Sequence, residues 1–375
     1  MAFSFSDEQE AFRGIVKRFM DERAASTEVR RLMASDLGYD ANVWRQLSQE
    51  LGVTGIQIPE EYGGQGFGFV ELGIVLEEMG RALYCGPYFS TTVLAANAIM
   101  NAGSRGDKEQ YLPAIAAGEL FASLAFCEPS GRWDVESVTT TAAPADGAFK
   151  LSGQKRFVLD GMLAQQFVVA ARAPGSHGKD GISLFMVAAD ARGLERRAVR
   201  ALDPTRKLAE LDLHDVVATP LGEIGAGAQA LEDTLMQAAV ALASESVGGA
   251  QAMLNAAVDY TLMRVQFGRL VGSFQAIKHQ CAELLLDVEL AKSAAYQAAN
   301  AASDADADQR VVASIAKAAS SDSFMGAAIR CIQLHGGIGF TWEQDTHLWF
   351  KRAKSSEVFL GTPTYHREIV VANWA

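Results

Sequence analysis

The spacing of the apolar residues changes twice along this chain, and the changes limit what it can fold into. In the first part, apolar side chains recur every three or four positions, as in the group Phe12, Ile15, Val16 and Phe19. This spacing is typical of a helix with one buried face. From about 228 to 350 the chain is rich in Ala, which has the highest helix propensity and allows close helix packing. Both ends of the chain are therefore predicted to be helical.

The middle of the chain has a different pattern. Short apolar runs at 167–171 and 182–187 are strand-like, and Gly, Asp and Pro interrupt them about every 8–12 residues, which predicts antiparallel β-structure. With 375 residues, the chain is long enough for two or three domains. We predict an α+β fold with a helical domain at 1–120, a β domain at 121–226 and a helical domain at 227–375.

Two local signals refine the helical segments. Ser6, followed three residues later by Gln9, predicts a capping box at the start of the first helix. The acidic stretch 303–308 predicts a turn between two long helices.

The charge and hydropathy of the chain exclude several classes of function. Asp and Glu number 45 against 33 Lys and Arg, which gives a net charge of −12. A general nucleic-acid binder needs a basic surface, so this class is excluded. No apolar run reaches the length of about 18 residues that crosses a membrane, and the first residues lack the basic and apolar regions of a signal peptide. We therefore expect a cytoplasmic protein with no nucleic-acid partner and no membrane span.

The cysteines and histidines show no metal-binding pattern. The cysteines form no Cys-x-x-Cys motif and lie far apart, at Cys85, Cys127, Cys281 and Cys331. The six histidines also lack the spacing of metal ligands. We expect the cysteines to be small buried side chains, and we expect no metal site.

Four short motifs occur in order along the chain. They are Pro-x-x-Tyr-Gly-Gly at 59–64, Cys-Glu-Pro-Ser at 127–130 with Asp134 after it, Arg-x-x-Phe-Gly at 264–268 with Gln275 after it, and Gln-x-x-Gly-Gly at 333–337 with Gly-Thr at 361–362 near the end. Each motif alone is a weak signal, but all four in order across a helix–sheet–helix chain are specific. By them the chain resembles the acyl-CoA dehydrogenase family over essentially its whole length.

The resemblance implies a fold, a reaction and a cofactor. The fold has an N-terminal helical domain, a middle antiparallel β-barrel-like domain and a C-terminal four-helix bundle, and it assembles as a tetramer. The reaction is α,β-dehydrogenation of an acyl-CoA thioester, in which a carboxylate removes the α-proton and the β-hydrogen leaves as hydride to FAD. An electron-transfer flavoprotein then reoxidises the flavin. The base has to be a desolvated carboxylate, and the thioester oxygen needs hydrogen-bond donors as charge develops.

In the family, one group of residues reaches the FAD of a neighbouring subunit. By the resemblance this group is complete here, and we call it the outer set: Arg264, Phe267, Gln275, Gln333, Gly336 and Gly337. An arginine suits the pyrophosphate because its planar fork makes charge-assisted hydrogen bonds. Adjacent glycines suit it because the backbone can approach the cofactor closely.

A second group would hold the flavin of the same subunit, and here the sequence departs from the family. We call it the home set: Cys127, Val158, Leu159, Thr362 and Thr364. Cys127 replaces a threonine, and Leu159 replaces the threonine that contacts flavin N5. Leucine cannot donate that hydrogen bond. From the terminal flavin-contacting stretch, only the Gly-Thr pair ending at Thr362 is retained, with Thr364 nearby.

The loop after Cys127 also differs from the family. Its Gly-Ser portion is replaced by Ser-Gly-Arg-Trp at 130–133. Arg132 and Trp133 are a candidate plug or partner contact, while ordinary packing of an exposed loop is an equally good interpretation. Glu128, in the same motif, is expected to be structural.

The usual positions of the catalytic base hold no carboxylate. In most members a glutamate precedes the terminal Gly-Thr, and in a minority the base lies on the first long helix of the C-terminal bundle. These positions are Leu360 and Ala238 here. Glu245 lies two helical turns after Ala238 in an apolar context, so it is either a relocated base or a glutamate hydrogen-bonded between helices. Glu357, one turn before Leu360, is either a base or an ordinary ion-pair partner.

The complete outer set and the altered home set support one hypothesis. The chain would be one subunit of a heteromeric acyl-CoA dehydrogenase and would complete the FAD site of a partner. Leu-Asp-Gly at 159–161 and Thr-Trp-Glu at 341–343 resemble the small subunits of bacterial pimeloyl-CoA and steroid-side-chain acyl-CoA dehydrogenases. A homotetramer with FAD in each subunit and Glu245 as base is the first alternative. A related flavin monooxygenase and a non-catalytic scaffold are further alternatives, and the acyl group stays open between fatty acid and steroid catabolism.

Overall fold

The computed structural model of the protein describes residues 4–145, 147–302 and 309–373. Along the chain, the helices in these ranges precede and follow the main β-structure. They are Asp7–Arg23 (α1), Ser26–Ala34 (α2), Ala41–Arg45 (α3), Phe69–Arg81 (α4), Ala96–Ala102 (α5), Arg105–Ala116 (α6), Gly227–Met263 (α7), Gln275–Ala301 (α8), Gln309–His335 (α9), Thr346–Val358 (α10) and Pro363–Ala372 (α11). Two π-helical turns, Gln46–Glu50 and Phe89–Ala95, extend α3 and lead into α5.

The strands fall almost entirely in the middle of the chain. They are Ala122–Ala125 (β1), Thr141–Ala145 (β2), Ala148–Leu159 (β3), Gln166–Arg172 (β4), Ile182–Ala188 (β5), Leu194–Val199 (β6), Leu208–Leu221 (β7), Val265–Gln266 (β8) and Arg269–Leu270 (β9). The last two form a small hairpin of their own, whereas the first seven belong to one sheet. The predicted α+β class is confirmed.

Five strands of this sheet close into a barrel. β3 pairs antiparallel with β2 and β7, and β5 pairs antiparallel with β7 and β4. A short parallel contact of Thr141 on β2 with Arg172 on β4 closes the ring. β1 lies parallel beside β4, and β6 lies antiparallel beside β7. The barrel interior is filled by buried apolar side chains, among them Phe167, Phe185 and Leu211.

The contacts group the chain into two compact units. One, which we call the bundle unit, contains Met1–Arg31, Phe69–Tyr84 and Ala239–Ala375. The other, the barrel unit, contains Leu32–Gly68 and Cys85–Ala238. The sequence boundaries proposed near 120 and 226 fall in the connections from α6 to β1 and from β7 to α7. The division into three sequence domains stays a prediction.

The bundle unit is organised around α7, α8, α9 and α10. Its core consists of small and large apolar side chains in contact, among them Ala257, Leu284, Phe324 and Ala328. The small side chains let the helices approach closely, which is the packing that the Ala-rich sequence predicts. The four-helix bundle implied by the resemblance is confirmed.

The crossing of α4 and α7 is so close that it requires glycine. A Cβ atom on Gly248 would lie 1.8 Å from the Glu77 carbonyl oxygen, and one on Gly80 would lie 1.9 Å from the Glu245 carbonyl oxygen. Both distances are shorter than a carbon–oxygen contact allows, and the obstructing atoms are backbone. The backbones of the two helices are therefore in direct contact, and Glu245 lies on α7 at this crossing.

Other expectations from the sequence can be compared with this structure. The capping box at α1 is confirmed: the Gln9 amide donates to the Ser6 hydroxyl at 3.2 Å, and the Ser6 amide donates to the Gln9 side chain at 2.9 Å. The predicted turn at 303–308 lies outside the described residues. Within the described ranges, no helix has both the length and the hydropathy to cross a membrane.

We predict that a single methyl group at the α4–α7 crossing destabilises the protein. Gly248→Ala should lower the free energy of unfolding by about 1–3 kcal/mol or more, because the backbone of α4 has to move. Gly326→Ala on α9 is the matched control, since a Cβ there has no atom within 4 Å. It should raise stability by about 0.5–1 kcal/mol through helix propensity. Thermal denaturation of the two variants measures the difference, and equal melting temperatures would contradict the prediction.

Candidate active site

Arg264 and Phe267 of the outer set lie on the hairpin that follows α7. The Arg264 amide donates to the Tyr260 carbonyl at 2.9 Å, which continues the last turn of the helix. β8 and β9 then pair across Phe267 and Gly268, whose φ angles of +52° and +74° make a tight two-residue turn. Phe267 is 92% exposed, and Arg264 is exposed as well. The hairpin therefore presents both side chains to the exterior.

The start of α8 holds this hairpin in place. The guanidinium of Arg269 lies 3.9 Å from the centre of the Phe274 ring, a cation–π contact. The Phe267 ring lies 6.2 Å from the same ring, edge to face. Gln275, the next residue, begins α8 and is exposed. Three members of the outer set are thus brought together.

The remaining members of the outer set lie at the end of α9, which the structure places beside the end of α7. The rings of Tyr260 and His335 stack with centres 4.1 Å apart. Gly336 follows with φ +65°, and a Cβ atom on Gly336 or on Gly337 would meet nothing within 4 Å. Gln333 is exposed on the last turn of α9. All six residues therefore belong to one end of the bundle unit.

The outer set fits the pyrophosphate end of FAD. Arg264 offers a charged fork, Gln275 and Gln333 offer amide donors, and all three side chains are exposed. The open space where a Cβ atom would stand at the two glycines lets a ligand approach the backbone closely. All of these groups face away from their own bundle core.

The home-set residues of the barrel unit do not fit a flavin ring in the same way. Cys127, Val158 and Leu159 are all buried. The Cys127 sulfur already donates to the Arg132 carbonyl at 3.5 Å, and burial raises the pKa of this thiol to about 11, so it stays neutral. Val158 and Leu159 carry no polar atom in their side chains. These three residues therefore offer a flavin no free side-chain donor.

Glu128 is part of a buried ion pair in the barrel unit. Its carboxylate accepts from Lys155 Nζ at 2.7 Å and from the amides of Thr139 and Thr140 at 2.8 and 2.9 Å. Burial by itself raises the pKa of Glu128, but the Lys155 charge and these hydrogen bonds outweigh it and hold the pKa at about 2. A carboxylate held ionised this firmly is a poor proton acceptor, which supports the structural role expected for Glu128.

The turn before α11 is held in a defined shape although it carries no base. Leu360 is buried and has φ +61°, in the left-handed region that side chains rarely adopt. Its carbonyl accepts from His366 Nε2 at 3.0 Å. Burial and the Lys317 charge lower the pKa of His366 to about 4, so the imidazole is neutral. Neither Leu360 nor the fully buried Ala238 offers a side-chain proton acceptor.

Lys317 fixes the same turn from the other side. It is fully buried on α9, and its Nζ donates to the carbonyls of Ser356 and Gly361 at 3.0 and 3.2 Å. The end of α10 and the Gly-Thr segment are thereby tied together. Thr362 caps α11 by accepting from the Tyr365 amide, and Thr364 is exposed on the first turn of that helix.

Glu245 is engaged in an ion pair inside the bundle unit. Its Oε1 accepts from Arg352 Nη1 on α10 at 2.5 Å, and both side chains are buried. Arg352 Nη2 donates to the Tyr84 carbonyl at 3.3 Å, just after α4. Of the two interpretations left open by the sequence, the geometry favours a glutamate that bonds between helices. Its role as a base stays a prediction. Glu357 forms an ion pair with Lys354 on its own helix.

From the sequence, Arg352 was a possible ion-pair partner of Glu357 and not of Glu245, and Lys317 was not singled out. Arg352 lies 107 residues from Glu245, and Lys317 lies 44 residues from Gly361. The available signal was a cation in an otherwise apolar stretch, as at Lys317 between Ala316 and Ala318. A buried charge needs a partner, but the pattern could not say which one.

We predict that the Glu245–Arg352 pair is structural. Arg352→Met should lower the free energy of unfolding by about 3–5 kcal/mol, because it leaves a buried carboxylate unpaired, and adding Glu245→Leu should recover most of the loss. Arg330→Met is the matched control, because Arg330 pairs with Asp287 on the surface at 3.3 Å. It should cost less than about 1 kcal/mol. Denaturant unfolding of these variants and the parent measures the effects, and an Arg352→Met variant as stable as the parent would contradict the assignment.

The chain is similar to known proteins of one family over nearly its whole length. Three family models match it: acyl-CoA dehydrogenase N-terminal domain at 6–119, middle domain at 123–216 and C-terminal domain at 225–374. Acyl-CoA dehydrogenase IpdE2 of Mycobacterium tuberculosis is 33% identical, over 95% of this chain and 94% of IpdE2. Acyl-CoA dehydrogenase FadE34 of the same organism is 35% identical, over 96% of this chain but 47% of FadE34.

A solved structure of an acyl-CoA dehydrogenase has a similar fold. A variant of the Tcur3481–Tcur3483 steroid ACAD superposes with a TM-score of 0.88 at 30% identity, over 98% of this chain and 97% of that chain. Enzymes of the matched family are FAD-dependent oxidoreductases, and the outer set described above has the donors that FAD needs. On these matches, the chain belongs to the acyl-CoA dehydrogenase family.

Proposed function

We propose that this chain is a subunit of a heteromeric acyl-CoA dehydrogenase that completes the FAD site of a partner chain and does not itself supply the base. The observation that carries the proposal is the unequal state of the two sets. The outer set is complete and exposed, whereas Cys127, Val158 and Leu159 of the home set are buried and lack a free side-chain donor. An interaction scaffold without a cofactor would have no need for exposed phosphate-binding groups such as Arg264.

The division of chemical roles follows from the residues present. Bound FAD supplies a hydride acceptor for the β-hydrogen of the acyl chain, and an electron-transfer flavoprotein takes the electrons onward. In this chain, Arg264 would bind the pyrophosphate, and the exposed backbone at Gly336 and Gly337 would let the cofactor approach closely. The side chains of Leu360 and Ala238 have no proton-accepting atom, so the carboxylate that removes the α-proton would belong to the partner.

Two relatives support an assembly of unlike chains. The name of the steroid enzyme Tcur3481–Tcur3483 joins two components. This chain spans only 47% of FadE34, so that relative is long enough for a second unit of similar size within one polypeptide. Because the first of these is a steroid ACAD, we further propose a ring-bearing acyl-CoA as the substrate.

The decisive experiment measures flavin content with and without a partner. The chain should be expressed alone and together with acyl-CoA dehydrogenase chains encoded next to it, and flavin absorbance should be compared with protein mass. We expect little flavin in the chain alone and one FAD for each pair of chains in the complex. One tightly bound FAD per chain, with turnover of acyl-CoA by the chain alone, would overturn the proposal in favour of a homotetramer.

A substitution at Arg264 tests the outer set directly. In the complex, Arg264→Ala should weaken FAD binding about 10- to 100-fold, because a charge-assisted hydrogen bond contributes about 1.5–3 kcal/mol. Arg310→Ala is the matched control, since Arg310 is exposed at the opposite end of α9 from Gly336. Equilibrium titration of the flavin-stripped complex with FAD measures both variants, and equal affinities would remove Arg264 from the site.

The relocated-base alternative is tested by Glu245→Gln in the same complex. The proposal expects a lower melting temperature, because the ion pair with Arg352 is weakened, with kcat and flavin content unchanged. If kcat falls to background while FAD stays bound, Glu245 is the base and the proposal is wrong on this point.

A further inference from the structure

The loop between β1 and β2 carries an aromatic side chain into the region where the family would hold its own flavin. Trp133 stands within the stretch that replaces the Gly-Ser of the family motif. Its ring centre lies 5.7 Å from that of Phe126 and 6.3 Å from that of Phe157. Phe126 directly precedes Cys127, and Phe157 directly precedes Val158. Trp133 therefore lies between the two segments that carry Cys127 and Val158 of the home set.

The backbone at Phe157 directs that ring away from the barrel interior. The register of β3 against β7 shifts between Lys155 and Val158, which marks a β-bulge. Phe157 itself has φ +56°, in the left-handed region that is costly for an aromatic residue. Its side chain is 44% exposed and its ring faces Trp133, not the core. The strained backbone at Phe157 thus places a second aromatic ring beside Trp133.

The loop that carries Trp133 is held by its own hydrogen bonds. Arg132 makes a two-pronged ion pair with Asp134, with Nε–Oδ2 and Nη2–Oδ1 distances of 2.8 and 3.0 Å. The Gly131 amide donates to the Glu128 carbonyl at 2.9 Å, and the Cys127 thiol donates to the Arg132 carbonyl. The loop is therefore held by hydrogen bonds on both sides of Trp133.

We infer that Trp133, with Phe126 and Phe157, closes the flavin site that this chain would otherwise have. The inference rests on the proposed function, since it explains why a heteromer would carry one FAD for each pair of chains. An indole is much larger than the side chains of serine and glycine, and it offers a single hydrogen-bond donor. The missing donors and the larger side chain then act together to exclude the cofactor.

The test uses substitutions that restore the hydrogen-bond donors of the family and substitutions that remove the indole, first separately and then together. Three variants of this chain are purified in complex with the wild-type partner: Cys127→Thr with Leu159→Thr, Trp133→Ser alone, and all three substitutions together. We expect the first two to keep one FAD for each pair of chains and the triple variant to approach two, measured by flavin absorbance after gel filtration. Adding Phe67→Ser to the donor-restored variant is the matched control, because Phe67 is an exposed aromatic residue of the same unit and should add no FAD.

The set of variants distinguishes a failure of this inference from a failure of the proposed function. The flavin content of the wild-type chain reports on the proposed function, whereas the difference between donor-restored and triple variants reports on Trp133. Equal FAD content in those two variants would show that Trp133 does not close the site. A folded triple variant that gains no FAD would overturn the inference as well.

A measurement on the unmodified complex covers the case in which the triple variant does not fold. The chain is labelled with 5-fluorotryptophan, and Trp133→Phe assigns the fluorine resonance of Trp133. Titration with excess FAD should leave this resonance unchanged, because the inference excludes a flavin from the space beside the indole. A shift or broadening of the Trp133 resonance at saturating FAD would overturn the inference.

Discussion

The backbone contact of α4 with α7 is the constraint on which the arrangement of the bundle unit depends. Gly80 and Gly248 allow the two helices to touch, and no larger residue fits at either position. This contact carries Glu245 into the interior, where a carboxylate needs a charged partner. Arg352 provides that partner and also donates to the Tyr84 carbonyl. One crossing therefore joins three helices through a single buried ion pair.

Whether a charged or polar group is paired inside the protein also distinguishes structural residues from candidate functional residues elsewhere in the chain. Buried ionisable groups such as Glu128 are matched internally, in this case by Lys155, and such groups are poor candidates for proton transfer. The donors of the outer set remain exposed at one end of the bundle unit, facing away from their own core. The outward-facing donors of the outer set and the internally paired carboxylates of Glu128 and Glu245 agree with the proposed role in a heteromeric assembly.

The spacing of residues along a few positions predicted the local secondary structure well. It did not predict which distant strands and side chains contact each other. The capping box of Ser6 and Gln9, the helical ends and the β-rich middle follow from spacing within a few residues. Closure of the barrel through Thr141 and Arg172 does not, because a single parallel contact leaves no periodic trace. The ties from Lys317 to the terminal turn are equally invisible, since a lone lysine in an Ala-rich helix specifies no partner.

By itself, the sequence determined which atoms are available: the family motifs, the absence of a carboxylate at Leu360 and Ala238, and the loss of a donor at Leu159. These are properties of single positions and short spacings, so folding cannot alter them. Only the tertiary structure decided what those atoms do. It paired Glu245 with an arginine 107 residues away and packed Trp133 between two phenylalanines from different parts of the chain. The physical reason is that burial and long-range contact decide whether a charge is matched or free, and neither is encoded in local order.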